Sequence, residues 1–295
     1  MVLRRAAIAG LIAVASGSWA LAAPDPLFTD PPHDPRNPAR MEVVRIPSHG
    51  VRINGVFYLA AGAGPHRTLI FFHGQPGNEQ NLDLAQGMRR LGWNVLTLHY
   101  RGAWGGAGTY SYTHLMEDGL SALAFVRDSR TVRAYGIDSG RVVLAGHSTG
   151  GLVAVNTASR SGPVAGLVLI SASDDPQEAF DAQGRPKQWR DFMKDEFDDL
   201  DGLSGCTPDG LARELLTHGR SWTFRHAAPT IKTIPTLIVT ADDGLAAEGN
   251  RLGHAIEAGG GRTPTYVHFN TDHPYSDRRI ALQKAVAAWL TAHVR

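Results

Sequence analysis

The chain has a single cysteine, Cys206, which excludes an intrachain disulfide framework and any cysteine-rich metal site. Cys206 is therefore read as a free structural thiol. Charge of either sign is not in surplus. Lys and Arg number 29 against 28 Asp and Glu, a balance that argues against a nucleic-acid partner. There is no H-E-x-x-H and no cysteine pair, so no metal is implied. There is no G-x-G-x-x-G after a strand and no G-x-x-x-x-G-K-[ST], so no nucleotide cofactor is implied and none is expected. Internal repeats and low-complexity blocks are also missing. Beyond the first two dozen residues no stretch is long and apolar enough to cross a bilayer.

The N-terminus reads as an export signal. Arg4 and Arg5 form a positive start, and Ala6 to Leu21 carry no charge. Ala20-Leu21-Ala22 fits an A-x-A cleavage pattern, and Pro24-Asp25-Pro26 breaks any helix that follows. The alternative is an uncleaved anchor, but the many Ala, Gly and Ser residues make the segment poorly apolar. Residues 1–23 are thus expected to be a cleaved signal that sends the protein to the periplasm or outside. No stable membrane insertion is expected after cleavage. Residues 24–40, rich in proline and polar groups, read as a linker arm, and residues 41–295 as one domain.

Along that domain the patterning alternates. Met41–Ile46 and Val51–Ala60 are β-type runs around Ser48-His49-Gly50, an antiparallel hairpin at a sheet edge. Apolar strands are expected at Thr68–Phe72, Val95–Tyr100, Val142–Ala145, Val164–Ser171, Ile234–Thr240 and Tyr266–Phe269. Helices are expected at Leu82–Leu91, Leu115–Arg127, after Gly150, and at Arg278–His293. Alternation of this kind means a mostly parallel sheet with helices on both faces and ligands at the strand C-termini. Between 174 and 228 the alternation stops. This stretch holds Phe180, Trp189, Phe192, Phe197, Trp222 and Phe224 and the acids Asp195, Glu196, Asp198, Asp199 and Asp201. It is either a lid over the strand ends or a pair of surface helices with a solvated acidic face.

The most informative stretch is Arg141 to Thr157. A short apolar strand runs directly into Gly146-His147-Ser148-Thr149-Gly150, and a small-residue helix pattern follows. A serine on a sharp strand-to-helix turn is a nucleophile elbow. A side chain at Gly146 or Gly150 would press into the neighbouring helix or strand.

These pieces together resemble the α/β-hydrolase fold over nearly all of Met41 to Arg295. The resemblance is carried by H-G-Q-P-G after the first core strand, Y-R-G after the next, G-H-S-T-G-G, P-T-L-I-V-T-A-D-D, and D-H-P-Y-S before the last helix. It implies a Ser-His-Asp triad. The nucleophile maps to Ser148 and the base to His273. The acid maps to Asp243, with Asp242 as the alternative. Thr240 stands where the family usually has a glycine three residues before the acid. The resemblance also implies an oxyanion hole made by the backbone N–H groups of Thr149 and Gln75. Family branches that carry Asp at the nucleophile position, the haloalkane dehalogenases and epoxide hydrolases, are excluded by Ser148.

The chemistry agrees with that mapping. A serine hydroxyl needs a base, imidazole suits the task, and a carboxylate fixes its tautomer. Of the 13 histidines, His273 lies in the loop after the final strand, at the correct sheet edge. His293 ends a helix, His268 lies within a strand, and His254 lies in a helix. His147 is expected to pack, and His73 to shape its loop. Arg101 braces its own loop or binds a substrate carboxylate. Trp104, Tyr110 and Tyr112 follow the Y-R-G loop and are candidate substrate-binding residues, or plain packing residues. The expected activity is cleavage of an ester or related acyl bond of a small molecule through an acyl-enzyme. The alternatives are a serine peptidase of the same fold, or a binding protein that has lost the chemistry.

Overall fold

The computed structural model describes residues 25–294, so the expected export signal lies outside the described residues. The chain begins by docking the arm. Leu27 is buried in the core, and its carbonyl accepts a 2.6 Å bond from Arg90 Nε. Strands β1 (Arg40–Ser48) and β2 (Val51–Leu59) form the expected antiparallel hairpin. His49 and Gly50 between them both have positive φ, 42° and 86°, as a two-residue turn matched to strand twist requires.

Alternation then follows: β3 (His66–Phe72), α1 (Leu82–Arg90), β4 (Asn94–Leu98), α2 (Tyr112–Arg127), α3 (Ser129–Tyr135), β5 (Ile137–His147), α4 (Thr149–Ser161) and β6 (Gly166–Ile170). The stretch that breaks the pattern folds into α5 (Asp175–Ala182), α6 (Pro186–Phe197), α7 (Pro208–His218) and α8 (Phe224–Ile231). The end of the chain supplies β7 (Thr236–Ala241), α9 (Ala246–Ala258), β8 (Thr265–Phe269) and α10 (Arg279–His293). The sheet has eight strands in the order β1-β2-β4-β3-β5-β6-β7-β8, parallel from β4 to β8 and antiparallel at the β1 edge. Two elements exceed the sequence expectation. Helix α3 is extra, and β5 starts five residues before Val142.

Strands β4, β6 and β7 and the inner parts of β3 and β5 are wholly buried because each feeds two cores, whereas β8 at the sheet edge is only partly covered. Leu69, Phe71, Val143, Ala145, Val168, Ile170, Leu237 and Val239 pack toward α1 and α10. The residues between them, Ile70, Phe72, Leu144, Leu167, Leu169 and Ile238, pack toward α2, α4 and α8. A strand covered on both faces needs no polar alternation, which is why these runs read as uniformly apolar. Among the described residues no helix is long and apolar enough to cross a membrane.

Candidate active site

At the C-terminal end of β5 the chain reverses through Ser148, whose φ of 56° and ψ of −131° are strained for a residue with a side chain. The turn is held by its backbone. Ser148 N–H donates to the Ile170 carbonyl at 3.0 Å, and its carbonyl accepts from Gly151 N–H at 2.8 Å and Ser173 N–H at 3.3 Å. The flanking glycines are sterically required. A Cβ on Gly146 would meet the Gly150 carbonyl in the first turn of α4, and one on Gly150 would meet the Phe72 carbonyl of β3. The hydroxyl thus sits at the N-terminus of a 13-residue helix, whose unpaired N–H groups and dipole favour negative charge.

Asp243 follows β7 and His273 follows β8. Parallel pairing of those strands places the two loops side by side at the same sheet edge as Ser148. His273 Nδ1 lies 2.8 Å from Asp243 Oδ2, and the Asp243 side chain is only 3 % exposed. Burial pushes this carboxyl up. Hydrogen bonds from His273, Ser171 and the Leu245 N–H outweigh that and hold it down at about 2. A carboxylate facing Nδ1 fixes the tautomer with its proton on Nδ1, so the Nε2 lone pair is the one left for a base. Ser148, His273 and Asp243 line one cavity of about 450 Å³, together with Gln75, Thr149 and Glu196.

Asp242 turns the other way. Its Oδ1 meets His268 Nε2 at 3.1 Å, while Thr240 Oγ1 lies 2.9 Å from His268 Nδ1. Thr240 and Asp242 together occupy both nitrogens of that imidazole, so His268 on β8 and Asp242 just after β7 form a separate surface pair.

His147, which was expected to pack, and two residues that the sequence did not single out support the constellation. His147 is buried, and its Nε2–H donates to the His273 carbonyl at 3.0 Å. Its ring centroid lies 4.5 Å from that of His273. Burial, with the neighbouring His273, lowers His147 to about 3, so it stays neutral. Ser171 at the end of β6 and the fully buried Tyr275 share a 2.9 Å hydroxyl bond beneath Asp243. Tyr275 belongs to the D-H-P-Y-S stretch, which was the one signal available for it.

The aromatic candidates are placed elsewhere. Tyr110 and Tyr112 are buried in the core, and neither lines the cavity at Ser148. The Tyr110 hydroxyl donates to Gln75 Oε1 at 3.1 Å, and that of Tyr112 to Asp175 Oδ2 at 3.0 Å. Trp104 is 40 % exposed and also lies outside the cavity lining. Its Nε1–H donates to the Pro76 carbonyl at 2.9 Å, and its ring covers Gly202. All three act as packing and tethering residues here, because the Y-R-G loop is sandwiched between the Gln75 loop and the α6–α7 connection. The Gln75 side chain is likewise committed: Nε2 donates to the Glu196 carbonyl at 2.7 Å. Gln75 and Thr149 both line the cavity at Ser148. Arg101 braces its own loop through Asp118 at 2.8 Å and Glu117. His73 is buried, donates from Nδ1 to the Gly74 carbonyl at 2.7 Å, and is lowered by burial to about 4.

The pattern of the Alpha/beta hydrolase family matches residues 69–292. The chain belongs to that family. No curated protein matches the sequence. Among solved structures, the chain is similar to an esterase of Pyrobaculum calidifontis, with a TM-score of 0.64, 21 % identity and 88 % of each chain covered. It is also similar to carboxyl esterase 2 of the mycorrhizal fungus Tuber melanosporum, with a TM-score of 0.64, 17 % identity and 93 % of each chain covered. A third similar structure is a thermostable carboxylesterase from a metagenomic library, with a TM-score of 0.61, 23 % identity, and 87 % of this chain and 90 % of that one covered.

Proposed function

We propose that the protein is a serine hydrolase that cleaves a carboxylic ester of a small molecule through an acyl-enzyme. The observation that carries this reading is the 2.8 Å contact of His273 with Asp243 in the cavity that holds the strained Ser148. Ser148 Oγ attacks the acyl carbon while its proton passes to His273 Nε2. The tetrahedral oxyanion is met by the backbone N–H groups of Thr149 and Gln75. Collapse expels the alcohol, which takes the proton from His273. Water then repeats the sequence on the acyl-enzyme and releases the acid. Asp243 holds the imidazole and offsets its positive charge at each stage. The esterase names of the similar structures agree with ester cleavage. Residues 1–23 are read as an export signal, with the mature enzyme outside the cytoplasm, and N-terminal sequencing of the secreted form tests that cleavage.

A fluorophosphonate reagent tests the nucleophile. Wild-type protein is expected to be labelled at Ser148 and to hydrolyse p-nitrophenyl esters, and Ser148→Ala to lose both. Labelling that persists in Ser148→Ala would overturn the assignment.

A further inference from the structure

The cavity beside Ser148 is the inner end of a longer groove. It shares Glu178, Asp195 and Gly244 with a middle cavity of about 340 Å³, which shares Asp181 and Arg251 with an outer one of about 460 Å³. The groove follows the seam between the 174–228 segment and α9. Its inner wall is acidic. Glu178 from α5 and Asp195 and Glu196 from α6 face the nucleophile, and no Lys or Arg lines that cavity. Behind this wall lie Asp174, Asp175 and Glu248, which are 3 %, 0 % and 2 % exposed. Asp174 lines the outer cavity, and Glu248 lines the middle one.

Among the described residues none of these six carboxyls has an ion-pair partner. The cluster is also short of donors. Asp174 Oδ1 and Asp175 Oδ1 are buried with no hydrogen-bond partner. Glu248 accepts from the backbone N–H of Asp174, and its carboxyl meets the Glu178 carboxyl. Buried carboxyls without a counter-charge are costly to ionise, so they keep a proton unless a bound cation joins them. The three arginines that reach the groove, Arg185, Arg225 and Arg251, lie in its middle and outer parts, away from Ser148.

We propose that the enzyme acts on esters whose acyl or alcohol part carries a protonated amine, held beside Ser148 by Glu178 and Glu196. The proposal rests on the serine-hydrolase reading and names its substrate class. An amine that donates hydrogen bonds fits better than a quaternary ammonium. Quaternary groups are bound by aromatic faces, and the only ring lining the inner cavity is the His273 imidazole. It also fits better than a metal ion, since no three His, Cys, Asp or Glu side chains among the described residues converge as ligands. Burial and the neighbouring carboxylates raise Glu196 well above its ordinary range and Asp175 to about 6, and a bound ammonium relieves that crowding.

Matched substrates test this. Aryl esters of β-alanine and 6-aminohexanoic acid are compared with the methyl isosteres, butyric and heptanoic acid. On the alcohol side, 2-(dimethylamino)ethyl butyrate is compared with 3-methylbutyl butyrate and with butyrylcholine. The expected result is a kcat/KM about ten- to a hundredfold higher for the protonated amine than for its neutral isostere on at least one side, the range of a hydrogen bond to a charged group. That ratio should fall as sodium chloride is added. It should collapse in Glu178→Gln/Glu196→Gln, and because the readout is a ratio, a general loss of activity cancels. Neutral isosteres turned over equally well or better, by unlabelled enzyme from a preparation whose Ser148 reacts with the fluorophosphonate, overturn the amine proposal and leave the hydrolase reading standing. Preference for butyrylcholine overturns the hydrogen-bonded mode. Thermal stabilisation by calcium chloride without any amine preference assigns the acids to a cation site instead and overturns it. Absence of both labelling and turnover overturns this proposal and the reading beneath it.

Discussion

At the residue scale, the decisive choice lies between two neighbouring carboxylates. Asp242 and Asp243 leave β7 in opposite directions, and only Asp243 reaches His273. Asp243→Asn is therefore expected to lower kcat by roughly 10⁴-fold, because the imidazole loses the acceptor that fixes its tautomer. Asp242→Asn, which removes a surface partner of His268, is expected to stay within about threefold of wild type. Steady-state kinetics on one p-nitrophenyl ester measures both, and a reversed order would move the acid by one position. His147 belongs at this scale too. It occupies the variable position of G-x-S-x-G, so the motif carries no information about it, yet it holds the His273 backbone from below.

At the element scale, the 174–228 segment is tied to the domain at several points. The Gln75 amide holds the end of α6, and Trp104 and Tyr110 N–H donate to the Gly202 and Ser204 carbonyls. Glu214 of α7 accepts from Tyr112 N–H at 2.8 Å and Thr113 N–H at 2.9 Å, capping α2. The expectation of a lid or of plain surface helices sets two roles apart that this segment combines. It packs like a structural layer through Phe192, Phe197, Leu215 and Phe224, and it also walls the cavity at Ser148 with Glu178 and Glu196. Gln75→Ala keeps the backbone N–H at the cavity but frees the Glu196 carbonyl and the Tyr110 hydroxyl. A loss of about 1–3 kcal/mol is expected. Amide exchange should accelerate in α6 while β5 stays protected, which mass-spectrometric exchange reads directly. Equal acceleration of both would mean that the segment and the sheet open as one unit.

At the scale of the whole molecule, buried titratable groups bound the stable pH range from two sides. His147, lowered to about 3, and His73, lowered to about 4, stay neutral when folded, whereas an unfolded chain protonates them near their ordinary 6.5. Below that value the unfolded chain binds the extra protons, so stability is lost as pH falls toward about 4. Glu248 behaves oppositely. Burial and the facing Glu178 carboxyl raise it far above its ordinary 4.5, so the folded protein keeps a proton that the unfolded chain has released. Its contribution is complete below about 4.5 and is lost progressively as pH rises above that value. Thermal melts across pH are expected to show both limbs. His147→Gln should flatten the loss of stability below about pH 6.5, and Glu248→Gln the loss above about pH 4.5 that runs into the alkaline limb. An unchanged alkaline limb in Glu248→Gln would show that the carboxyl ionises freely in the folded state.

The sequence by itself determined the strand order along the chain, the parallel sheet and the elbow. These follow from local rules: apolar runs covered on both faces, glycines where a Cβ cannot fit, and a serine caught between strand and helix. It also placed Ser148 and His273 at one edge, because consecutive strands of a parallel sheet end on the same side. Only the tertiary structure decided between Asp242 and Asp243, drew Tyr110 and Tyr112 into the core, and brought His147, Ser171 and Tyr275 beneath the site. Those outcomes depend on which way a side chain turns at the end of a strand. That direction is set by neighbours distant in sequence, such as His268 for Asp242 and Gln75 for Tyr110. The acidic wall at Ser148 belongs to the same class, since α5, α6 and α9 meet there only once the chain has folded.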